Sequence, residues 1–153
     1  MGSDRSGSGL SQTMEPNEFR SSFRSRLFHL GEGKPTNLVD VILFREGKAR
    51  ARCLVQTADH KNGEQRELVF PSGSRLRFLV SFAKAEKGWE VTGYNFHFSR
   101  GDCWFRYDLD PDAADGQKHP LAHLHVGADE PRYPTQTLNL LDLLDFLIKQ
   151  RLV

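Results

Sequence analysis

Long apolar runs are absent from this sequence: no stretch approaches the roughly 20 residues a helix needs to cross a bilayer. Nor does a basic segment lead into an apolar one in the manner of a signal peptide. Both absences predict a cytoplasmic protein with no membrane partner. Cysteine is scarce, with only Cys53 and Cys103 in 153 residues. They lie far apart in strand-like segments, and neither has a second Cys or a His at metal-ligand spacing, so both are read as reduced core residues. Neither charge sign dominates, since 21 Lys and Arg meet 20 Asp and Glu. The whole-molecule field therefore selects no nucleic acid, and such a partner needs a local patch. No P-loop, G-x-G-x-x-G turn, G-x-S-x-G elbow or H-E-x-x-H helix is present.

What remains is a chain of one-domain length with strongly periodic segments. Residues 1–15 are poor in apolar side chains and rich in Gly and Ser, and are expected to be a disordered tail ahead of a single domain over 16–153. Phe19, Phe23, Leu27 and Leu30 recur at helical spacing behind Pro16, with Arg20, Arg24 and Arg26 on a face read as solvated. Strand-like runs follow: Leu38 to Phe44 and Ala49 to Val55 around the Arg45 to Lys48 turn, Glu67 to Phe70, and Leu76 to Phe82 with period two. Gly93 interrupts the alternation of Trp89 to Phe98 and predicts a bulge. Cys103, Phe105 and Tyr107 then form one strand face, a polar loop runs from Asp108 to Lys118, and His119 to Gly127 reads as the last strand. Asn139 is placed to cap a C-terminal Leu-rich helix over Leu138 to Val153. No βαβ alternation appears, so the expected fold is α+β: a mostly antiparallel sheet of about six strands, an N-terminal helix and a C-terminal amphipathic helix.

One cluster can carry chemistry. His119, His123 and His125 put three of the six histidines within seven residues. On a strand, Ala122, Leu124 and Val126 take one face, and Leu121, His123 and His125 the other. With the apolar set turned to the helix, the two imidazoles face away from that core. They then form a hydrogen-bonded polar layer, share acid and base roles near neutral pH, or hold a metal with a third ligand from His97, Asp108 or Asp110. No metal signature is present, so no metal and no cofactor are expected. Around this strand stand Trp104, Arg106, Asp108, Arg132 and Tyr133. Arg106 and Arg132 can clamp a phosphate, whereas simple cross-strand ion pairing explains Arg106 and Asp108 equally well.

The segment His123-Leu-His125-Val-Gly127 resembles the alternating histidines of the histidine-triad nucleotide hydrolases, with Gly127 in the third position. Phe105 to Pro111, His119 to Gly127, Arg132-Tyr-Pro134 and the Leu-rich helix together resemble an uncharacterised prokaryotic family, domain of unknown function 2290. More remotely they resemble small toxin-type proteins of toxin–antitoxin or defence loci. That resemblance covers about the last third of the chain, with no match before Trp89, and implies a bacterial cytoplasmic setting. It singles out Asp108, His119, His123, His125, Gly127 and Arg132. Because no complete catalytic constellation is present, the first functional expectation is a protein-binding module using the sheet face or the aromatic row Tyr94, Phe96 and Phe98. The alternative is a histidine-dependent phosphodiesterase or ribonuclease-type toxin with RNA as substrate, in which His123 and His125 are acid and base and Arg106 or Arg132 holds phosphate.

Overall fold

The computed structural model describes residues 14–46, 51–111 and 121–153. They run as helix α1 (Pro16–Phe28), a 3-10 turn (Gly31–Gly33), β1 (Val39–Glu46), β2 (Arg52–Asp59), β3 (Leu68–Val69), β4 (Arg75–Ala85), β5 (Gly88–Arg100), β6 (Cys103–Leu109), β7 (Ala122–Val126), β8 (Tyr133–Pro134) and helix α2 (Leu140–Lys149). The fold is α+β, with one antiparallel sheet in the order β1-β2-β4-β5-β6-β7-β8 and β3 attached to β4. Eight strands replace the expected six or so: β3 lies within the expected Glu67 to Phe70 run, whereas β8, with only two residues, is too short to show a period. His119, residues 1–13 of the expected 1–15 tail and the turn residues Gly47 and Lys48 lie outside the described residues.

Alternation in β4 turns Leu76, Phe78, Val80 and Phe82 to one side, where all four are buried. Beside them on β5 lie Phe98, Phe96 and Tyr94, register partners of Leu76, Phe78 and Val80. Helix α1 closes this side: Phe19 packs against Phe78 and Phe82, and Phe23 lies 4.2 Å from Phe78 between ring centroids. Pro16 opens α1 at a position where its missing N–H costs nothing. In α2, Asn139 caps as expected by accepting from the Leu141 and Asp142 N–H groups, and Leu140, Leu141, Leu144 and Leu147 are buried. The buried Tyr94 hydroxyl accepts from the Leu138 N–H at 2.9 Å, which ties the entry to α2 to the sheet.

Three expectations are corrected here. Tyr94, Phe96 and Phe98 are 4%, 0% and 5% exposed, so the aromatic row is core and presents no docking face. Cys103 is exposed at the start of β6, where the tight β5–β6 turn lifts it off the core; Cys53 alone is buried, and both thiols are free. The arginines of α1 are tied down rather than solvated. Arg20 donates to the Val41 carbonyl, Arg24 makes two bonds to Asp40 at 2.6 and 3.1 Å, and Arg26 pairs with Asp145 of α2. Burial raises the Asp40 pKa, but Arg24 and the Val41 N–H outweigh it and hold the carboxyl below its ordinary range.

The predicted bulge is present. Ser81 faces Gly93 and Phe82 faces Val91, which leaves Thr92 as the extra residue. A Cβ at position 93 would sit 3.1 Å from the Leu109 carbonyl oxygen, so the close approach of β5 to β6 favours glycine there.

Candidate functional site

The face of the sheet turned away from the helices is a polar grid set by register. One cross-strand row runs Arg77, His97, Arg106, His125, and the next runs Leu79, Asn95, Asp108, His123. The two imidazoles therefore project together, away from the α1–α2 layer, as the alternation predicts. They are far more enclosed than a half-exposed sheet would leave them, at 1% and 2%.

Asp108 organises the cluster. Its Oδ2 lies 3.2 Å from His125 Nε2 and 3.4 Å from His123 Nε2, and accepts from Arg106 Nε at 3.0 Å. Its Oδ1 accepts from Asn95 Nδ2 at 2.9 Å. The two imidazoles meet edge to face with centroids 4.8 Å apart. His125 Nδ1 lies 2.9 Å from the Asp129 carbonyl oxygen. A carbonyl only accepts, so Nδ1 carries the proton and neutral His125 turns the lone pair of Nε2 towards Asp108. Two acceptors at 3.2 Å repel unless a positive species lies between them, either a proton or a metal ion. Asp108, His123 and His125 each offer one ligand atom, and these atoms lie within 4.8 Å of one another.

Of the sequence candidates, the structure gathers Asp108, His123, His125 and Arg106. Arg132 pairs with Glu130 instead of entering the cluster. His97 shares the row of Arg106 and His125 but turns to Trp104, on which it stacks at 5.0 Å and 13°, with the Arg106 guanidinium 5.9 Å from the Trp104 ring. Burial, then the nearby charges of Arg77 and Arg106, push the His97 pKa below its ordinary value. Asn95 and Asp129 were missed. Asn95 is recoverable from sequence, because the alternation that buries Tyr94 and Phe96 places it opposite Asp108 once the β5–β6 turn is fixed. Asp129 contributes a backbone carbonyl, which leaves no side-chain signal.

Asp108 and Asn95 also line an open cleft of about 680 Å³, bordered by Thr92, Gly93, Asp110 and Leu121. The bulge at Thr92 forms one wall, a recurrent use of bulges beside functional sites.

A family model described as toxin TumE matches residues 49–152. The chain belongs to the TumE toxin family. Of the resemblances noted in the C-terminal third, this supports the toxin-type one, and the TumE match starts well upstream of Trp89. It takes in every member of the cluster and the cleft, while α1 and β1 precede it. No curated protein and no solved structure matches the chain. Among the described residues, no helix is long and apolar enough to cross a membrane.

Proposed function

We propose that this TumE-family toxin acts by cleaving a phosphodiester, with RNA as the substrate, at the Asp108–His123–His125 centre. The observation that carries this reading is the convergence of two imidazoles and a guanidinium on one carboxylate oxygen, at 3.0 to 3.4 Å, beside an open cleft. Phosphodiester cleavage needs fixed positive charge for the phosphoryl oxygens and a group that activates the attacking oxygen. Arg106 supplies the first, and Arg77, which makes no ion pair among the described residues, extends it along the same row. The imidazole–carboxylate cluster supplies the second. Trp104, stacked on His97 with Arg106 nearby, offers a ring on which an unpaired base can stack.

The test is induced expression in a bacterial host, with purified protein offered single-stranded RNA and DNA in parallel. Wild-type protein is expected to arrest growth and cut RNA. Asp108→Asn and His125→Ala, shown to be folded by circular dichroism, are expected to do neither. Unchanged growth arrest in both folded variants would remove the centre from the toxin's action.

A second reading concerns a partner. Leu121, Val126 and Tyr133 are 48%, 57% and 49% exposed at the β7–β8 edge of the sheet. An edge with unpaired backbone groups and exposed apolar side chains suits an added strand from a protein, which for a toxin is an antitoxin. Replacing Val126 and Tyr133 by Lys is expected to abolish neutralisation by the cognate antitoxin while growth arrest persists. Retained neutralisation would place the partner elsewhere.

A further inference from the structure

We infer that Asp108, His123 and His125 form a three-ligand site for a divalent transition-metal ion of the zinc class, bound through Asp108 Oδ2 and the two Nε2 atoms. This deepens the proposed reading by naming what activates the attacking oxygen. The ion's use rests on that reading, whereas its binding rests on geometry alone.

Spacing comes first. Zinc holds imidazole nitrogen and carboxylate oxygen at about 2.0 to 2.2 Å, so neighbouring ligand atoms of a tetrahedral site stand about 3.3 Å apart. The Asp108 oxygen lies 3.2 and 3.4 Å from the two imidazole nitrogens. Drawing all three atoms, now within 4.8 Å of one another, around one ion takes a modest closing of the His pair.

The outer partners agree. A ligating histidine almost always donates its other N–H to a carbonyl or carboxylate, which fixes the tautomer and aims the lone pair at the metal. His125 does this through Nδ1 and the Asp129 carbonyl. A ligating carboxylate is in turn hydrogen-bonded, as Asp108 Oδ1 is by Asn95. Burial at 1%, 2% and 12% restricts solvent access to the ligand atoms, as the shell around a metal site does.

Arg106 is the competing cation on Oδ2. It has a second acidic neighbour in Asp129, whose Oδ1 lies 3.8 Å from its Nη2, and can turn to that carboxylate when an ion arrives. Two imidazoles and one carboxylate favour zinc and its transition-metal neighbours over calcium or magnesium, which prefer all-oxygen sites. Three protein ligands leave a fourth position open, the arrangement of a catalytic rather than a structural zinc, and Asp108 gives it a border on the cleft.

The experiment uses the full chain, stripped with chelator and titrated with cobalt(II), whose visible absorption reports tetrahedral nitrogen and oxygen ligation, and with zinc by calorimetry. One equivalent is expected to bind and to raise the melting temperature. His125→Ala is expected to abolish the cobalt spectrum. Asn95→Ala, which spares every ligand and serves if His125→Ala fails to fold, is expected to weaken binding by on the order of 10- to 100-fold. Absence of a one-to-one complex, or a complex untouched by both substitutions, overturns the site. Binding by a wild-type protein that cuts no RNA leaves the site standing and removes the proposed function. RNA cutting by stripped protein in chelator keeps the proposed function and overturns the ion's role in it.

Discussion

On β5, Phe96 and His97 are neighbours in the chain and opposites in environment. Phe96 is wholly buried beside Phe78 under α1, while His97 stands on the far face between Arg77 and Arg106. The same alternation of chemistry repeats along β4 and β6, while on β7 it is the polar face that is enclosed, with His123 and His125 buried and Val126 exposed. The helix-covered face carries Leu76, Phe78, Val80 and Phe82; the far face carries charge, amide and imidazole. Non-directional apolar burial holds the first together, and the second is held by donors and acceptors that must meet within a few tenths of an ångström. One face therefore tolerates many sequences that fill its volume, whereas changing one atom on the other leaves several partners unsatisfied.

The largest effect should come from the apolar face. Phe78 touches Phe19, Phe23 and Phe96 and is 0% exposed. Truncating it to Ala is expected to cost about 3 to 5 kcal/mol, read by chemical denaturation. A loss below about 1 kcal/mol would mean that the α1 contact is not a packed core.

Next comes Asp108→Asn, which keeps the shape and removes the charge that Arg106, His123 and His125 share. Leaving a buried hydrogen-bonded charge without its partner is expected to cost about 1 to 3 kcal/mol. This change should abolish growth arrest, whereas a core variant equally destabilised should still arrest growth wherever it remains folded. Equal retention of toxicity in both would erase the functional distinction between the two faces.

The two faces were also unequally legible in the sequence. Period-two runs and helical stripes were enough to foresee α1, α2 and its Asn139 cap, β4, and the bulge at Gly93, because each announces itself within a dozen residues. The imidazole orientation followed from alternation alone. The enclosure of the imidazoles did not, since it depends on which strand lies across β7, and β8 was invisible at two residues. Arg132, as eligible as Arg106 by residue type and sequence position, pairs locally with Glu130. Aromatics on β5 looked available for a partner until α1 was laid over them, and nothing local to β5 says which face a remote helix will cover. The choice of Asp108 over His97 as companion of the histidines rests on cross-strand register, a long-range property.

A smaller effect probes how α2 is seated on the apolar face. Asn139 accepts from Leu141 and Asp142, satisfying donors at the start of α2 that otherwise lack helical partners. Asn139→Ala is expected to cost about 1 kcal/mol, and Asn139→Asp or Asn139→Ser to restore most of it. Failure of the conservative caps to rescue would show that Asn139 acts by packing instead.

The subtlest prediction concerns pH and belongs to the far face alone. The His97 ring meets Trp104, and the charged groups around it are Arg77, Arg106, Glu67 and Asp108. Burial, then Arg77 and Arg106, depress its pKa below the 6.5 of a free imidazole, with Glu67 and Asp108 only partly offsetting them. A depressed histidine pKa means that between the folded value and 6.5 the unfolded chain binds more protons than the folded one. The contribution is therefore whole above 6.5 and is lost as pH falls through 6.5 towards the folded value. Other histidines titrate in the same range, so the measurable quantity is the difference between wild type and His97→Gln, followed by denaturation from about pH 7.5 to about pH 5.5. The loss of the Trp104 stack adds an offset that does not change with pH. On top of it, the wild type is expected to lose stability more steeply on acidification. Parallel curves would mean that neither burial nor the two arginines hold His97 neutral, and the picture of an uncharged ring set between Arg77 and Arg106 would fail.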